Sequence, residues 1–440
     1  MAKCIKKNKT NNKAKVGAFA FALFMSALTG CGSISMPKLR SKADAGTFSY
    51  SDNENNFQDF VSKVNDFALP WIENVNANFQ SKENVAYSPA SLFYATAMLS
   101  KVTANEDQTN LLEILGVNEN EINQYFGPLY RACNREYGNK KITGKEKIDN
   151  SVWLDEKFQF KEETLDDLAN VFYADVFSCD FYTNNEKSNQ AIGDYVKKCT
   201  DGLLKPEYKF DIDTAFVLLN TLYFEDVWNN EGIDLQKDEE RNFKNYDNSQ
   251  TKLQFYKTYY ESGKIIETEK YKSAYARTLN GFMIDFIVPK DGVDVEELFT
   301  EDVLRDYNSK ERVYSEMVCE ENTYYYTNLS TPEYEASFDD DILTNFYDAY
   351  KINGIDDFTN FVSESNGIDD FRLESIIHTT KVEFKKDKVR GAAATAVGGD
   401  CADVPPQREV YETLIVDRPF IYSIRDPQNI NLFKGIVYKL

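Results

Sequence analysis

The chain has 440 residues, 42% hydrophobic and 14% aromatic, with a formal net charge of −22. It can bury a large core as one or two domains, and its acidity excludes nucleic acid and anionic membrane surfaces as partners while favouring cationic ones. Its only histidine is His378, which excludes zinc-protease motifs and multi-histidine metal sites, and no glycine-rich phosphate loop is present.

The N-terminus reads as a secretory signal. Lys3, Lys6, Lys7, Lys9, Lys13 and Lys15 form a basic head without an acid, and residues 16–28 follow as an apolar run. Such a run is too short to cross a bilayer, which takes about 20 residues. It ends in Leu28-Thr29-Gly30-Cys31, which resembles a bacterial lipobox. The resemblance implies cleavage before Cys31, lipidation of Cys31, and a mature chain of charge about −28 anchored outside the cytoplasm on a membrane or cell surface. Residues 31–56, rich in Ser, Lys and Gly, are expected to form a tether. The remaining cysteines, Cys133, Cys179, Cys199, Cys319 and Cys401, are odd in number without paired spacing, so neither a disulfide framework nor a zinc site is indicated.

From Phe57 the apolar residues Phe60, Val61, Val64, Phe67, Ala68 and Trp71 recur at helical spacing, predicting one amphipathic helix to about Phe79. Ala86-Tyr87-Ser88-Pro89 leads into a second helix, with Pro89 at its start. Residues 215–224 form an almost continuous apolar run, as in a strand buried on both faces. Another strand is expected over 282–289, followed by a short helix from Glu296. Residues 301–375 are acidic, rich in Tyr and Asn, and poorly periodic; they read as loops carrying Asn-Gly-Ile-Asp-Asp-Phe twice, at 353–358 and 366–371. Residues 420–425 and 432–438, separated by Asp426-Pro427, predict a C-terminal hairpin.

Several of these segments resemble landmarks of the serpin family, in order. Asn84-Val85-Ala86-Tyr87-Ser88-Pro89-Ala90-Ser91 is similar to the family's second helix. Asn220-Thr221-Leu222-Tyr223-Phe224 with Trp228 is similar to the third strand of its central sheet, and Asp417-Arg418-Pro419-Phe420 with Leu432-Phe433-Lys434-Gly435 to its C-terminal signature. Ala191-Ile192 with Tyr195-Val196 and Thr200 is a weaker match. The resemblance implies an α+β serpin fold over residues 57–440, with a large, mostly antiparallel central sheet, surrounding helices and an exposed reactive loop over about 386–416. It further implies a shutter of Ser88, Ser91, Asn220 and His378, with His378 at the head of the strand leading to the loop and bonded to Asn220.

In that family a cleaved loop enters the sheet as an extra strand. The segment from Lys386 meets the physical requirement. Val389, Gly391, Ala393, Thr395, Val397 and Gly399 form one small or apolar face, Lys388 and Arg390 lie on the other, and no proline occurs before Pro405. Lys388, Val389, Arg390, Gly391, Ala392, Ala393, Ala394 and Thr395 then form the hinge. It departs from the family's Glu-Glu-Gly-Thr-Glu-Ala, with Lys388 where glycine is usual. Family spacing from Lys386 places the scissile bond at Ala402-Asp403; counting back from Pro419 gives Arg408-Glu409 instead.

The resemblance therefore implies a suicide inhibitor of a serine endopeptidase, elastase-like or subtilisin-like for Ala402, acting as a monomer. It implies no enzyme activity, cofactor or metal, no nucleic acid, and membrane contact through the lipid alone. The alternative is a non-inhibitory surface binding protein of the same fold.

Overall fold

The computed structural model describes residues 2–6, 36–49, 52, 56–78, 81–139, 142–228, 234–309, 319–320, 323–363, 371–390 and 408–440. In chain order the first half comprises β1 (Ala2–Lys6), β2 (Lys38–Arg40), α1 (Phe57–Phe67), α2 (Leu69–Asn78), β3 (Val85–Tyr87), α3 (Pro89–Val102), α4 (Asn105–Leu115), α5 (Glu119–Ala132), β4 (Asn134–Asn139), β5 (Ile142–Asp155), α6 (Glu162–Asn170), β6 (Ala174–Cys179), α7 (Asn185–Cys199) and β7 (Thr214–Val227). The second half comprises β8 (Gln236–Lys244), β9 (Gln250–Lys257), β10 (Glu261–Ser262), β11 (Ile266–Glu267), β12 (Tyr271–Arg277), β13 (Met283–Pro289), α8 (Glu301–Ser309), β14 (Cys319–Glu320), β15 (Thr323–Pro332), β16 (Tyr334–Asp341), α9 (Leu343–Tyr350), β17 (Phe371–Phe384), β18 (Lys388–Arg390), β19 (Arg408–Ile415), β20 (Phe420–Arg425) and β21 (Asn431–Val437).

The strands form three sheets. The largest runs β1-β17-β18-β7-β5-β6-β2, with β16 on the outer side of β17 and β4 on β5. A second joins β10, β15, β9 and β8, with β14 and β19 also on β15, and a third runs β11-β12-β13-β20-β21-β3. The apolar run expected as a fully buried strand is β7, whose first eleven residues are all buried. Its even residues Phe216, Leu218, Leu222 and Phe224 enter the main core, while Val217 and Leu219 pack with Trp153, Phe177 and Tyr195 beneath α7. Both faces are covered, so the two-residue alternation of a surface strand disappears.

Four expectations differ from the structure. The first predicted helix is two, α1 and α2, broken at Ala68. Residues 301–375 are far from loop-like: they hold α8, α9, β15 and β16 and begin β17. The sequence of β15, Thr-Tyr-Tyr-Tyr-Thr-Asn-Leu-Ser-Thr-Pro, consists largely of strand-favouring residues, but its polar atoms mask any apolar period.

The third difference concerns the tether. Of its described residues, 36–49 lie against the domain as a strap. β2 pairs with edge strand β6, the Ala43 amide donates to the Ala169 carbonyl at 2.9 Å, and Arg40 reaches Asp166 at 2.8 Å and Glu162. Edge strands offer unpaired amides and carbonyls, and β2 satisfies those of β6.

The fourth is that Ala2–Lys6, within the segment read as a signal, pair as β1 with β17 and β7 in the sequence as given. Among the described residues, no helix is long and apolar enough to cross a membrane. Cys31 and the second copy of the repeated hexapeptide, apart from Phe371, lie outside the described residues.

Candidate functional site: a slot in the central sheet

β7 and β17 run parallel, and each pairs antiparallel with the strands between them. At one end lies β18: Lys388 faces Val227, Val389 faces both Asp226 and Phe384, and Arg390 faces both Glu225 and Glu383. At the other end lies β1, where Ala2 faces both Leu218 and Ile376. Between the two, no described strand separates residues 219–224 from residues 377–382. Among the described residues this leaves a slot one strand wide.

The upper end is built by a tight hairpin. The Lys385 amide donates to the Lys388 carbonyl at 3.0 Å, turning the chain from β17 into β18. Trp228 Nε1 donates to the Lys385 carbonyl at 2.9 Å and its ring lies 5.0 Å from Phe384, while the Lys386 amide donates to Glu333 at 2.8 Å. Val389 is fully buried; Lys388 lies on the opposite face and binds Glu225 at 3.0 Å. The loop expected from 386 is therefore already seated in the sheet over its first strand residues. Gly391, Ala392, Ala393, Ala394 and Thr395 of the hinge, and Ala402 and Asp403, lie outside the described residues.

The middle of the slot is lined by Ser88, Ser91, Asn220 and His378 together with Leu219 and Ile377. Ser88 caps α3, its Oγ accepting from the Ser91 amide at 3.2 Å. The Ser88 amide in turn donates to His378 Nε2 at 3.1 Å, which puts the imidazole proton on Nδ1. Burial pushes His378 down to about 3, so the ring is neutral. The expected bond between His378 and Asn220 is absent. Among the described residues no strand lies between β7 and β17 at this level, and Asn220 donates instead to Asn150 Oδ1 at 2.7 Å. Its own Oδ1 is buried without a hydrogen-bond partner among the described residues. His378 also sits in the middle of β17 rather than at its head.

Two further corrections come from the far end of the loop. Arg408 and Glu409 belong to β19, paired in parallel with Thr323 and Tyr324 of β15. The loop therefore ends before 408 rather than near 416, and the Arg408-Glu409 bond lies within a hydrogen-bonded strand. Sequence reasoning did not find Asn150, Glu225 or Glu333. Each is 53 or more residues from its partner, and nothing in the linear pattern marks those pairings.

Among the described residues, no group of three His, Cys, Asp or Glu side chains is placed to hold a metal ion. Cys133, Cys179 and Cys199 are free and buried, and burial raises all three thiols, so the thiolate is suppressed.

The described residues thus define a large central sheet in which β18 and β1 lie between β7 and β17 at either end, flanked by helices and two further sheets. The chain belongs to the serpin family: residues 62–440 match the profile described as "Serpin (serine protease inhibitor)". A serpin-like protein from Methanosarcina mazei is 23% identical over 397 residues, 86% of this chain and 87% of that protein. An alpha-1-antitrypsin-like protein of Tamias sibiricus is 31% identical over 169 residues, 37% of this chain; the match spans only 40% of that relative's length. Among solved structures, the thermophilic serpin tengpin in its native state superposes with a TM-score of 0.71 at 21% identity, covering 92% of this chain and all of tengpin. Thyroxine-binding globulin in complex with thyroxine gives 0.67 at 20% identity, over 87% of this chain and 99% of that one.

Proposed function

We propose that this protein inhibits a serine endopeptidase by inserting its cleaved loop into the slot between β7 and β17. One observation carries the reading: the register is the same at both ends of the slot. Each residue after Arg390 steps back one position on β7 and one on β17, so an inserted Val397 would face Leu218 and Ile376. Those are the two residues that Ala2 faces now. A strand continuing from β18 thus fits without a shift.

The same register supports Ala402-Asp403 as the scissile bond. Residues 388–401 would pair with β7 from Val227 to Thr214, its whole length, and Ala402 would be the first residue beyond the sheet. Cleavage at Arg408-Glu409 would instead require Pro405 and Pro406 to enter or overhang the strand, and proline supplies no ladder donor. Thr395 would face Asn220 and His378, beside an Asn220 Oδ1 that has no hydrogen-bond partner among the described residues.

The chemistry follows from acyl transfer. The protease serine Oγ attacks the Ala402 carbonyl carbon, the bond to the Asp403 nitrogen breaks, and that amine leaves with a proton from the protease's general acid. Ala402 then remains esterified to the serine. Insertion carries the ester away from the geometry that water needs to hydrolyse it. A small residue at Ala402 suits an elastase-like or subtilisin-like specificity pocket.

In this reading the chain is exported, cut before Cys31 and held outside the cytoplasm by lipid on Cys31, as in a bacterial lipoprotein. That cut removes Ala2–Lys6 and leaves the slot to the loop.

A non-inhibitory binding role is favoured by one feature, the Lys388–Glu225 ion pair at 3.0 Å, which holds a hinge lacking the usual glycine. Incubation with elastase-type and subtilisin-type proteases followed by denaturing electrophoresis decides between them. A covalent band with a released fragment beginning at Asp403 supports inhibition; cleavage without a band overturns it.

A further inference from the structure

Four exposed large side chains, Tyr259, Tyr260, Tyr411 and Ile415, cluster on or beside the sheet that contains β15 and β19. Tyr326 and Tyr411 face each other in register and stack at 5.0 Å, and Tyr260 meets Tyr411 edge-on at 5.1 Å. Tyr260 is 49% exposed and Tyr411 56%. The three rings thus form one continuous aromatic surface. The Tyr411 hydroxyl donates to Glu409 Oε2 at 2.9 Å, which leaves a carboxylate at the border of the rings.

Two observations define the partner. Aromatic faces attract Lys and Arg side chains, and this sheet already makes that contact internally: Lys264 Nζ lies 4.2 Å from the Tyr325 ring centroid. The chain as a whole carries −22, so its field draws cationic proteins and repels acidic ones, including a second copy of itself. The position also matters. Tyr411 follows Arg408, where the strand begins, and Asp403 is five residues before Arg408, at most about 17 Å of extended chain. A protease body seated on the Ala402-Asp403 bond has to lie close to this surface.

We propose that Tyr260, Tyr326 and Tyr411, bordered by Glu409, form an exosite that docks a cationic surface of the protease attacking the loop. This rests on the inhibitor reading and adds the charge of its target. Tyr-rich surfaces of this kind supply a large, rigid contact area.

The test measures equilibrium binding to serine proteases of basic isoelectric point whose catalytic serine is replaced by alanine, so that no covalent step contributes. Wild-type chain, Tyr260→Ala/Tyr411→Ala and, as a control, Tyr182→Ala, which removes an exposed ring 55% accessible and outside this sheet, are compared after thermal melts establish that all are folded. The expected result is at least a tenfold loss of affinity for the double variant, no loss for Tyr182→Ala, and wild-type binding that weakens with salt. Equal binding of the double variant, binding by none of the three, or loss of self-association in place of protease binding overturns the exosite. A covalent band with the active protease is scored separately. Tyrosine-dependent binding without that band overturns the inhibitor reading and leaves the docking surface standing.

Discussion

The backbone amide of Ser88 donates to Nε2 of His378 across 290 residues of sequence, at 3.1 Å. This bond ties the first turn of α3 to the middle of β17, one wall of the slot. His378→Ala would leave the Ser88 amide buried without a partner and open a cavity. We expect a loss of about 3 kcal/mol, measured by chemical denaturation.

The same histidine sets an acid limit. Burial lowers it to about 3, below its ordinary 6.5, so the folded state binds its proton less readily than the unfolded chain does. Its contribution is therefore complete above about pH 6.5 and is lost as pH falls toward 3, by on the order of 3 kcal/mol. His378→Gln is expected to flatten that part of the stability profile. An unchanged slope between pH 6.5 and 4 would contradict the assignment.

Glu261 has the opposite sign. Burial raises it to about 7, with Arg277 only partly offsetting the effect. The folded state holds that proton more tightly, so its contribution is present below about pH 4.5 and is lost as pH rises through 7. Glu261→Gln should stabilise the protein by about 2 kcal/mol at pH 8 and leave it unchanged at pH 4, read from melts at the two pH values.

The strap over residues 36–49 offers a contrast between buried and exposed ion pairs. Lys42 binds Asp149, whose side chain is 5% exposed; burial would raise that carboxyl, yet Lys42 and Lys147 hold it below the ordinary range. Lys42→Met should cost about 2 kcal/mol. Arg40 binds Glu162 and Asp166, which are 75% and 56% exposed, and Arg40→Ala should cost under about 1 kcal/mol. Equal effects in denaturant titrations would show that the strap is not held by its buried end.

Loop insertion has a thermal signature. Cleavage should raise the melting temperature sharply, because extending β18 through residues 391–401 adds ladder bonds on both sides at about 1 kcal/mol each. Thr395→Pro removes one donor in the middle of that strand; the variant should be cut without forming a covalent complex and without the rise in melting temperature. Cys31→Ala should abolish detergent partitioning if the anchor is lipid on that residue.

Much of this protein follows from sequence alone. The apolar run of β7 had to be buried on both faces, Ser88-Pro89 had to begin a helix, and alternation of small residues from Val389 to Gly399 met the steric demand of an inserting strand. These are local properties, set by side-chain volume and backbone chemistry within a few residues. The tertiary structure decided what depends on distant partners. Asn220 pairs with Asn150 because β5 and β7 place them opposite each other, and His378 with Ser88 because the first turn of α3 packs against β17. Residues 36–49 become a strap because β6 has an edge to satisfy, and Arg408-Glu409 lies in a strand because β15, more than 80 residues earlier, pairs with it. Tyr-Tyr-Tyr at 324–326 reads alike in a loop or a strand; only the partner strand fixed which rings stack and which face the solvent.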